Sequence, residues 1–420
     1  MIRRTVPQKT ISKESSLSGV GLHTGENVNL TFKPAPSNTG IVFIREDIEG
    51  DNSIEANIKF ISNTDRGTNL DNGSFRIHTS EHVLAALTGS DIDNCYISLD
   101  GPEVPIMDGS SKFFIEAIEE AKIVEQNALR EEFIPSEKIS FKCEETGSNL
   151  SLIPDDNYSI DTKIDFNTEV LGTQTASIND ITDFKEEISS SRTFSFLHEL
   201  ETLLEHGLIK GGDLNNAIVY VDKPLADSNM ERLKKAFNKT SISVTPNGIL
   251  DNLSLHHPNE AARHKLLDVI GDLALIGMKI RGKIIAEKPG HAVNAKFAQL
   301  VSESIKADRK NIIPIINFDK KPLMDSNQIM NVIPHRPPFL LIDEVLELSE
   351  SHVIGLRRVE QSESWVKGHF PGAPVMPGVL QVEFMAQAGG VLVLNTVPDP
   401  ENYLTFFMKM DKCKFKDTVV

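Results

Sequence analysis

The segment HKLLDVIGDL, residues 264–273, is the centre of the strongest helical signal in the chain. His264 and Asp268 are four residues apart, so on a helix their side chains lie about 6 Å apart on one face and can reach a single ion. Asp272 follows one turn later, and burying such carboxylates is costly unless they are paired or bind a metal. The alternative to a metal site is a helix whose polar residues form one exposed stripe. The opposite face is apolar and predicts packing on a core through Leu266, Leu267, Val269, Ile270 and Leu273.

A second polar motif, HTSEHVLAAL, occupies residues 78–87. Its Thr-Ser pair can cap a helix, which places Glu81 and His82 in the first turn. His82 is a candidate third metal ligand, and Glu81 is a candidate general base beside the metal. His78 is four residues from His82 and offers a rival pair, but it precedes the cap and need not be helical. An ordinary capped helix with a surface histidine is the other interpretation.

A third motif, GHAVNAKFA at residues 290–298, places His291 where a turn meets a predicted helix. A histidine held at a helix start near a carboxylate can donate a proton or stabilise an oxyanion, although a single histidine is often only structural. Two imidazoles and one carboxylate with an open fourth position are typical of a catalytic zinc site. Such a site activates water at neutral pH, so the combined motifs predict hydrolysis of an amide or ester.

Composition narrows the class of protein. The chain has 420 residues, 25% of them charged, and a net charge of −17, which fits two to four ordinary domains and argues against a non-specific nucleic-acid binder. The cysteines Cys95, Cys143 and Cys413 are too scattered for a disulfide framework or a cysteine zinc site. The first residues lack the apolar stretch of a signal peptide, and no apolar run reaches about 18 residues. We expect a cytoplasmic protein without a transmembrane segment.

Strand-like and helical segments alternate through the first 305 residues, so we expect an α+β fold. We predict domain I at residues 1–125, domain II at 132–305, a linker at 306–324 and a further domain at 325–420. The charged stretch Glu125 to Lys138 is interpreted as a linker or exposed turn. The two first blocks could be a duplicated α+β unit, although no sequence repeat shows it.

Six motifs in order carry a resemblance over about residues 1–305. They are SGVGLHTG (18–25), TSEHVLAAL (79–87), DGPEVPIMDGSS (100–111), SRTF (191–194), HKLLDVIGDL (264–273) and GHAVNAKFA (290–298). Together they resemble the UDP-3-O-acyl-N-acetylglucosamine deacetylase of lipid A biosynthesis. The resemblance implies two α+β domains packed together, with the active site between them.

The same resemblance implies a role for individual residues. His82, His264 and Asp268 would bind zinc, and Glu81 would be the general base. His291 would be the general acid, oriented by Asp272. Thr193 would stabilise the oxyanion, and Lys265 would contact the UDP-sugar substrate. Phe194 and Phe196 resemble the lining of the acyl-chain passage, although they could equally be plain core.

The C-terminal block contains HFPGAPVMPGVLQVEFMAQAGG, residues 369–390. Pro377 and Gly378 suit the start of a helix that is apolar nearly all round and is therefore expected to be buried. Glu383 in the middle of that helix needs a partner or a raised pKa, which is common at functional sites. A buried glutamate satisfied by backbone, with His369 incidental in the preceding loop, is the alternative.

This stretch and MNVIPHRPPFLLIDEV, residues 330–345, resemble the β-hydroxyacyl-acyl carrier protein dehydratase of the hot-dog fold. By resemblance, His369 would take the α proton, Glu383 would help to expel the hydroxyl, and an amide of Gly378 or Val379 would polarise the thioester. No metal is needed. In this family the two side chains of a site come from different subunits, which implies a homo-oligomer. The block ends before the last strands of a hot-dog sheet, so we expect an incomplete domain.

A basic cluster near this site would dock an acidic acyl carrier protein, or would simply be a solvated strand edge. Its members are Arg357, Arg358, Lys409, Lys412, Lys414 and Lys416. The sequence therefore predicts a bifunctional deacetylase and dehydratase. Two alternatives for the C-terminal block stay open: a hot-dog thioesterase, and a non-catalytic module for oligomerisation or carrier-protein binding.

Overall fold

The computed structural model divides the chain into two compact units, Met1–Asn311 and Ile312–Val420, which are presented separately. The residues that the structure describes are 2–4, 6–199, 210–211, 216–222, 231, 234, 243–245, 248–250, 254–310, 321–349, 352–406, 408–410, 413, 415 and 417–420. In this part of the chain, no helix has both the length and the apolar character needed to cross a bilayer.

The first unit mixes strands and helices along its whole length, which makes it an α+β structure. Its described strands are β1 Ile2–Arg3, β2 Pro7–Ile11, β3 Ser15–Val20, β4 Asn27–Pro34, β5 Ile41–Arg45, β6 Ser53–Glu55, β7 Ile61–Asn63, β8 Asn69–Asp71, β9 Arg76–Ile77, β10 Cys95–Leu99, β11 Ile123–Leu129, β12 Glu132–Phe133, β13 Ile139–Cys143, β14 Ser148–Ile153, β15 Tyr158–Asp165, β16 Thr173–Ile178, β17 Phe194–Phe196, β18 Ile218–Tyr220, β19 Lys279–Ile280 and β20 Gly282–Glu287. Its described α-helices are α1 Glu81–Gly89, α2 Lys112–Ala121, α3 Phe184–Glu187, α4 Glu260–Ala274 and α5 His291–Lys310.

Two five-stranded sheets dominate this unit, and both have the same strand order. The first is β3-β4-β10-β5-β6 and the second is β13-β14-β20-β15-β16. In each sheet the strand that comes last in the sequence, β10 or β20, lies at the centre. It is antiparallel to one neighbour and parallel to the other. This shared topology fits the duplicated α+β unit that the sequence suggested.

The sheets and the main helices enclose one contiguous apolar core. In β4 the side chains of Val28, Leu30 and Phe32 are buried, at most 1% exposed. They alternate with more exposed neighbours, as a half-buried strand requires. Helix α4 packs against α1 where Gly271 meets the start of α1. An added Cβ at Gly271 would lie 2.1 Å from the carbonyl oxygen of Glu81, so only glycine permits this approach.

Half of the charged stretch interpreted as a linker or exposed turn lies in the strands β11 and β12, so that interpretation was wrong. β11 pairs antiparallel with β2, with Val124 opposite Thr10. Its apolar side chains, including Ile123 and Leu129, are 39% and 48% exposed. β11 has no buried side chain, although its partner β2 buries three, and this exposure explains the polar composition of β11. Helix α5 also continues to Lys310, so residues 306–310 of the predicted linker are helical.

The second unit is built around one hairpin and one long helix. Its described elements are α6 Ser326–Met330, β21 Glu344–Leu348, β22 Val353–Leu356 and α7 Gly378–Leu394. β21 and β22 pair antiparallel, and Val391 of α7 packs into a small core with Ile342 and Val345. A capping box between Asp325 and Gln328 starts α6.

Several expectations for this unit were wrong. The apolar run from Phe339 to Leu346 predicts a strand, but the strand begins only at Glu344, because the preceding Pro-rich segment forms turns. The sequence also predicts a strand pair that begins near Leu404, but described residues 403–406 and 408–410 form no strand. A possible short strand, which the sequence predicts at 312–316, lies outside the described residues. Helix α7 is not buried all round in the single chain, since Val379 is 74% exposed and Val393 is 55% exposed.

Candidate metal centre and second site

Two histidines and one aspartate of the first unit converge on one point. One ligand atom from each of His82, His264 and Asp268 lies within 4.8 Å of the others, and all three side chains are buried. The Nε2 atoms of His82 and His264 lie 3.8 and 3.4 Å from Oδ1 of Asp268. This is the only group of its kind among the described residues, and it unites the first turn of α1 with the middle of α4.

Both imidazoles are held in the neutral form that a metal requires. Burial, assisted by the neighbouring His264 ring, lowers the pKa of His82 to about 3. Burial also lowers the pKa of His264. The Nδ1–H of His264 donates to the carbonyl oxygen of Ser191 at 3.1 Å, which leaves the lone pair on Nε2 directed at the cluster.

Asp268 provides the test of whether a metal fits. Its Oδ1 atom is buried, and no described residue donates a hydrogen bond to it. Burial opposes the charged carboxylate, but Lys265 and then His264 hold the pKa of Asp268 below its ordinary value. A buried carboxylate oxygen without a donor, facing two neutral imidazole nitrogens, suits a divalent cation.

Glu81 lies beside this cluster as the first residue of α1. Its Oε2 accepts a hydrogen bond from the backbone N–H of Thr68 at 2.9 Å, and burial raises the pKa of its carboxyl to about 7. Ser80 occupies the cap position as expected, but its side chain does not cap the helix. The Ser80 hydroxyl donates instead to the carbonyl oxygen of Thr68 at 2.8 Å.

His291 begins α5 and faces Glu81, with Nε2 4.0 Å from Glu81 Oε1. Its Nδ1 lies 2.9 Å from Asp272 Oδ2, which also accepts from the side-chain amide of Asn294 at 2.8 Å. Burial opposes the charged ring, but the carboxylates of Asp272 and then Asp268 raise the pKa of His291 to about 9. The base candidate and the acid candidate therefore lie on opposite sides of a narrow gap.

Lys265 and Phe194 border the same site. The Lys265 ammonium donates to Asp268 Oδ2 at 2.8 Å and lies 5.6 Å from the centre of the Phe194 ring. Phe194 contacts the His264 ring edge-on. Phe196 lies further along the same strand and is buried in an aromatic cluster, with its ring centre 6.2 Å from that of Phe194. The position of Phe196 therefore supports the plain-core interpretation for that residue.

Thr193 lies between residues that touch the site. Its backbone N–H donates to the carbonyl oxygen of Gly109 at 2.8 Å. Ser191 and Phe194 on either side of it both contact His264. The rival ligand His78 is not part of the cluster, because its Nδ1 lies 3.0 Å from Asn69 Oδ1 instead.

The second unit positions Glu383 by a neighbouring amide. Gln387, one turn later on α7, is 1% exposed and donates to Glu383 Oε1 at 3.0 Å and to the carbonyl oxygen of Phe339 at 2.8 Å. Its own Oε1 accepts from the backbone N–H of Leu341 at 2.8 Å. His335 Nε2 also lies 3.5 Å from Glu383 Oε1. Glu383 thus has side-chain partners rather than the backbone partners of the alternative.

His369 is not joined to Glu383 by any hydrogen bond or ion pair between described residues. Its Nδ1–H donates to the carbonyl oxygen of Val375 at 2.8 Å, which leaves Nε2 available as a base. At the start of α7, Gly378 is covered by the ring of Phe415, and the side chain of Val379 is exposed. The first amides of a helix have no acceptor within the helix.

The predicted basic cluster is only partly described. Arg357 pairs with Asp343 at 2.7 Å and with Glu363, and Arg358 pairs with Glu344 at 3.0 Å. The two arginines are therefore neutralised within the unit. Lys409 is described, whereas Lys412, Lys414 and Lys416 lie outside the described residues.

Comparison with known proteins decides the family. Residues 8–239 and 228–303 match the family model described as LpxC, UDP-3-O-acyl N-acetylglycosamine deacetylase. The chain belongs to this deacetylase family. Residues 333–420 match the model described as a FabA-like domain. The resemblances inferred from the motifs are thereby confirmed for both parts of the chain.

Relatives of this deacetylase chain include proteins named for two activities and proteins named for the deacetylase alone. A protein of Bacteroides thetaiotaomicron named "Bifunctional enzyme LpxC/FabZ" is 44% identical over 98% of this chain and 89% of its own length. A protein of Chlorobaculum tepidum with the same name is 42% identical over 99% of this chain and 90% of its own. The "UDP-3-O-acyl-N-acetylglucosamine deacetylase" of Myxococcus xanthus is 40% identical over 70% of this chain and 86% of its own.

Sequence analysis missed four residues at the two sites, and two of them had no sequence signal. Thr68 and the carbonyl of Ser191 reach the site only through the fold. Asn294 and Gln387 lie three and four residues from His291 and Glu383, so helical spacing could have indicated both of them.

Proposed function

We propose that this chain is a bifunctional enzyme of lipid A and fatty acid biosynthesis. The first unit hydrolyses the acetamide of UDP-3-O-(3-hydroxyacyl)-N-acetylglucosamine. The second dehydrates (3R)-hydroxyacyl-acyl carrier protein to the trans-2-enoyl product. The support is the identity of 42–45% to bifunctional relatives over nearly the whole chain. Substrate and carrier protein are assigned by that relationship.

One observation carries the hydrolase half. Glu81 and His291 lie 4.0 Å apart beside three buried groups that converge within 4.8 Å. His82, His264 and Asp268 would hold a divalent ion, and their chemistry suits zinc, although iron tolerates similar ligands. A bound zinc ion acts as a Lewis acid that polarises the amide carbonyl and makes an attacking water more acidic.

The side chains then divide the proton transfers between them. With its pKa raised to about 7, the Glu81 carboxylate can accept the proton of the attacking water near neutral pH. His291, with its pKa raised to about 9, is protonated at that pH and can donate to the departing amine as the C–N bond breaks. Acetate and the free amine result, and Asp272 keeps the imidazole oriented throughout.

The side chains that border the metal centre are the candidates for contacts with the substrate. Burial opposes the charge of Lys265, but Asp268 raises its pKa, so the ammonium persists and can contact the anionic sugar nucleotide. The Thr193 hydroxyl would donate to the oxyanion. The Phe194 ring would border the acyl chain, and we assign Phe196 the role of packing behind it.

For the dehydratase half we propose a hot-dog domain that works as a homo-oligomer. His369 Nε2 takes the α proton, and the hydroxyl leaves as water with a proton from Glu383. An amide of Gly378 or Val379 would hold the thioester carbonyl. The absence of a described contact between His369 and Glu383 in one chain supports a site completed by a second subunit. The apolar residues exposed on α7 support it as well.

The domain limits within the first unit, 1–125 and 132–305, stay predictions, as do the cytoplasmic location and the docking of acyl carrier protein on the basic cluster. The described arginines of that cluster are paired within the chain. The proposed docking rests on the basic charge that the sequence concentrates in this cluster. Charge reversal at Lys414 should weaken carrier-protein binding.

Metal analysis together with a deacetylase assay tests the hydrolase half. His264→Ala should lose bound zinc and activity together, because a ligand is removed. His352→Ala, a change at an exposed histidine of the second unit, is the control and should keep both. An active His264→Ala variant, or a wild type that releases no acetate, would contradict the proposal.

Product analysis with a 3-hydroxyacyl thioester tests the second half. Loss of water without release of a free thiol is the expected outcome, and His369→Ala should abolish it. Release of a free thiol would indicate a thioesterase instead. No turnover by the wild type would favour a non-catalytic module.

A further inference from the structure

Thr68 hydrogen-bonds to both halves of the proposed proton-transfer machinery. It directly precedes β8, the middle strand of the three-stranded sheet β7-β8-β9, and is 1% exposed. Neither the motifs nor the family resemblance assigned it a role.

The main chain of Thr68 holds the start of α1. Its N–H donates to Glu81 Oε2 at 2.9 Å. Its carbonyl oxygen accepts from the backbone N–H of Ser80 at 3.1 Å and from the Ser80 hydroxyl at 2.8 Å. Next to it, Gly67 has a φ of +155°, which favours glycine, and an added Cβ there would lie in tight contact, 3.0 Å from Glu81 Oε1. This segment therefore sets where the Glu81 carboxylate points.

The side chain of Thr68 reaches the other group. Its hydroxyl donates to Asp272 Oδ1 at 2.5 Å and lies 3.4 Å from His291 Nδ1. A carboxylate can only accept, so the direction of the first bond is settled. The other oxygen of Asp272 accepts from His291 and Asn294. Thr68 therefore satisfies the remaining oxygen of a fully buried carboxylate.

We propose that Thr68 is a positioning residue that sets the Glu81 carboxylate against the Asp272–His291 pair. The inference rests on the proposed deacetylase function. Without the hydroxyl, Asp272 Oδ1 loses the donor that fixes the plane of its carboxylate, and His291 follows because Oδ2 of the same carboxylate orients its ring. The zinc ligands keep their own contacts, so the defect should appear in turnover rather than in metal binding.

The test is Thr68→Val, which keeps the shape and the backbone bond to Glu81 but removes the hydroxyl. We expect kcat to fall roughly ten- to hundredfold, with KM and zinc content unchanged. Thr68→Ser should restore most of kcat. The control is Thr162→Val, because Thr162 is 2% exposed and its hydroxyl has no partner among described residues. If Thr68→Val does not fold, Thr68→Ala compared with Thr68→Ser isolates the same hydroxyl.

A double-mutant cycle separates positioning from general loss of structure. Thr68→Val should cost little further kcat when added to Asp272→Ala, because the residue acts through that carboxylate. An equal loss in both backgrounds, or a kcat of Thr68→Val within about twofold of wild type, would overturn the inference.

A measurement that does not depend on activity separates this inference from the function it rests on. The His291 Nδ1–H resonance of the zinc-loaded protein, assigned by its absence in His291→Ala, should shift in Thr68→Val and stay in place in Thr162→Val. A resonance that Thr68→Val leaves unmoved refutes the positioning role. A wild type without deacetylase activity refutes the proposed function, while the resonance still decides the role of Thr68.

Discussion

The carboxylate of Glu81 and the imidazole of His291 face each other across 4.0 Å, although each begins a different helix. Their pKa values are displaced in the directions that suit a base and an acid, to about 7 and about 9. Burial is the main cause for Glu81. For His291 the carboxylates of Asp272 and Asp268 outweigh burial. This pairing makes the chemistry of the first unit testable residue by residue.

Glu81→Gln should abolish most turnover and spare the metal. The amide keeps the shape of the side chain but cannot accept the proton of the attacking water. We expect kcat to fall by about 10²- to 10⁴-fold, as for loss of a general base. Zinc content should stay at the wild-type level, because Glu81 is not one of the converging ligands. Glu55→Gln, on an exposed strand, is the control, and a fully active Glu81→Gln would exclude the role of base.

Gly271→Ala should separate α1 from α4. The new Cβ would overlap the carbonyl oxygen of Glu81, so the helices must move apart at the point that unites the ligands. We expect the free energy of unfolding to fall by about 1–3 kcal/mol, and zinc affinity to fall with it. Chemical denaturation and metal titration measure the two effects.

Gly389→Ala is the matched helical control for that experiment. An added Cβ there meets nothing within 4 Å, so alanine should be neutral or slightly stabilising. Equal effects of the two substitutions would show that helix propensity, rather than close approach, explains Gly271.

Glu260→Ala should destabilise the first unit strongly. Glu260 is fully buried and accepts from the guanidinium and backbone N–H of Arg192, next to the segment that orients His264. Removing the carboxylate leaves the Arg192 charge buried and unpaired, which should lower the free energy of unfolding by about 3–5 kcal/mol. Glu187→Ala, which removes an exposed partner of Arg263, should cost below about 1 kcal/mol in the same urea titration.

The same ion pair predicts a dependence of stability on pH. Burial opposes the charge of Glu260, but hydrogen bonds from Arg192 and His256 hold its pKa below the ordinary value of 4.5. A carboxyl with a lowered folded pKa stabilises the protein fully above its unfolded pKa, and that contribution is lost as pH falls through the folded value. Urea titrations below about pH 4.5 should therefore show an acid-induced loss that is smaller in Glu260→Gln. Identical pH profiles for the two proteins would contradict this origin.

Gln387→Met should impair the second unit in two ways. It leaves the backbone N–H of Leu341 and the carbonyl of Phe339 without their partner, which should cost about 1–3 kcal/mol of unfolding free energy. It also releases Glu383, so dehydration should slow more than the loss of folded protein explains. Gln381→Met, which removes one long contact at 3.3 Å, serves as the control. Normal dehydration by folded Gln387→Met would remove the link to Glu383.

Some of the site could be predicted because its spacing is local. His264, Asp268 and Asp272 share a helix face, and Glu81 and His82 begin a helix after a Thr-Ser pair. The Ser80 hydroxyl could not be assigned in the same way, because a hydroxyl can accept from a helix amide or donate to a carbonyl, and Ser80 donates to the distant carbonyl of Thr68 without capping the helix. The solvent-facing β11 also misled, since a strand without buried side chains has the composition of a linker.

By itself the sequence determined the mixture of helices and strands, the two parts of the chain and the candidate residues for the chemistry. Those properties depend on local periodicity and on ordered motifs, which neighbouring residues carry. Only the tertiary structure decided that Thr68 bridges Glu81 and Asp272, that a Ser191 carbonyl orients His264, and that Gly271 lets α1 approach α4. These contacts join distant segments through backbone atoms, small side chains or no side chain at all, so no pattern of residue types records them.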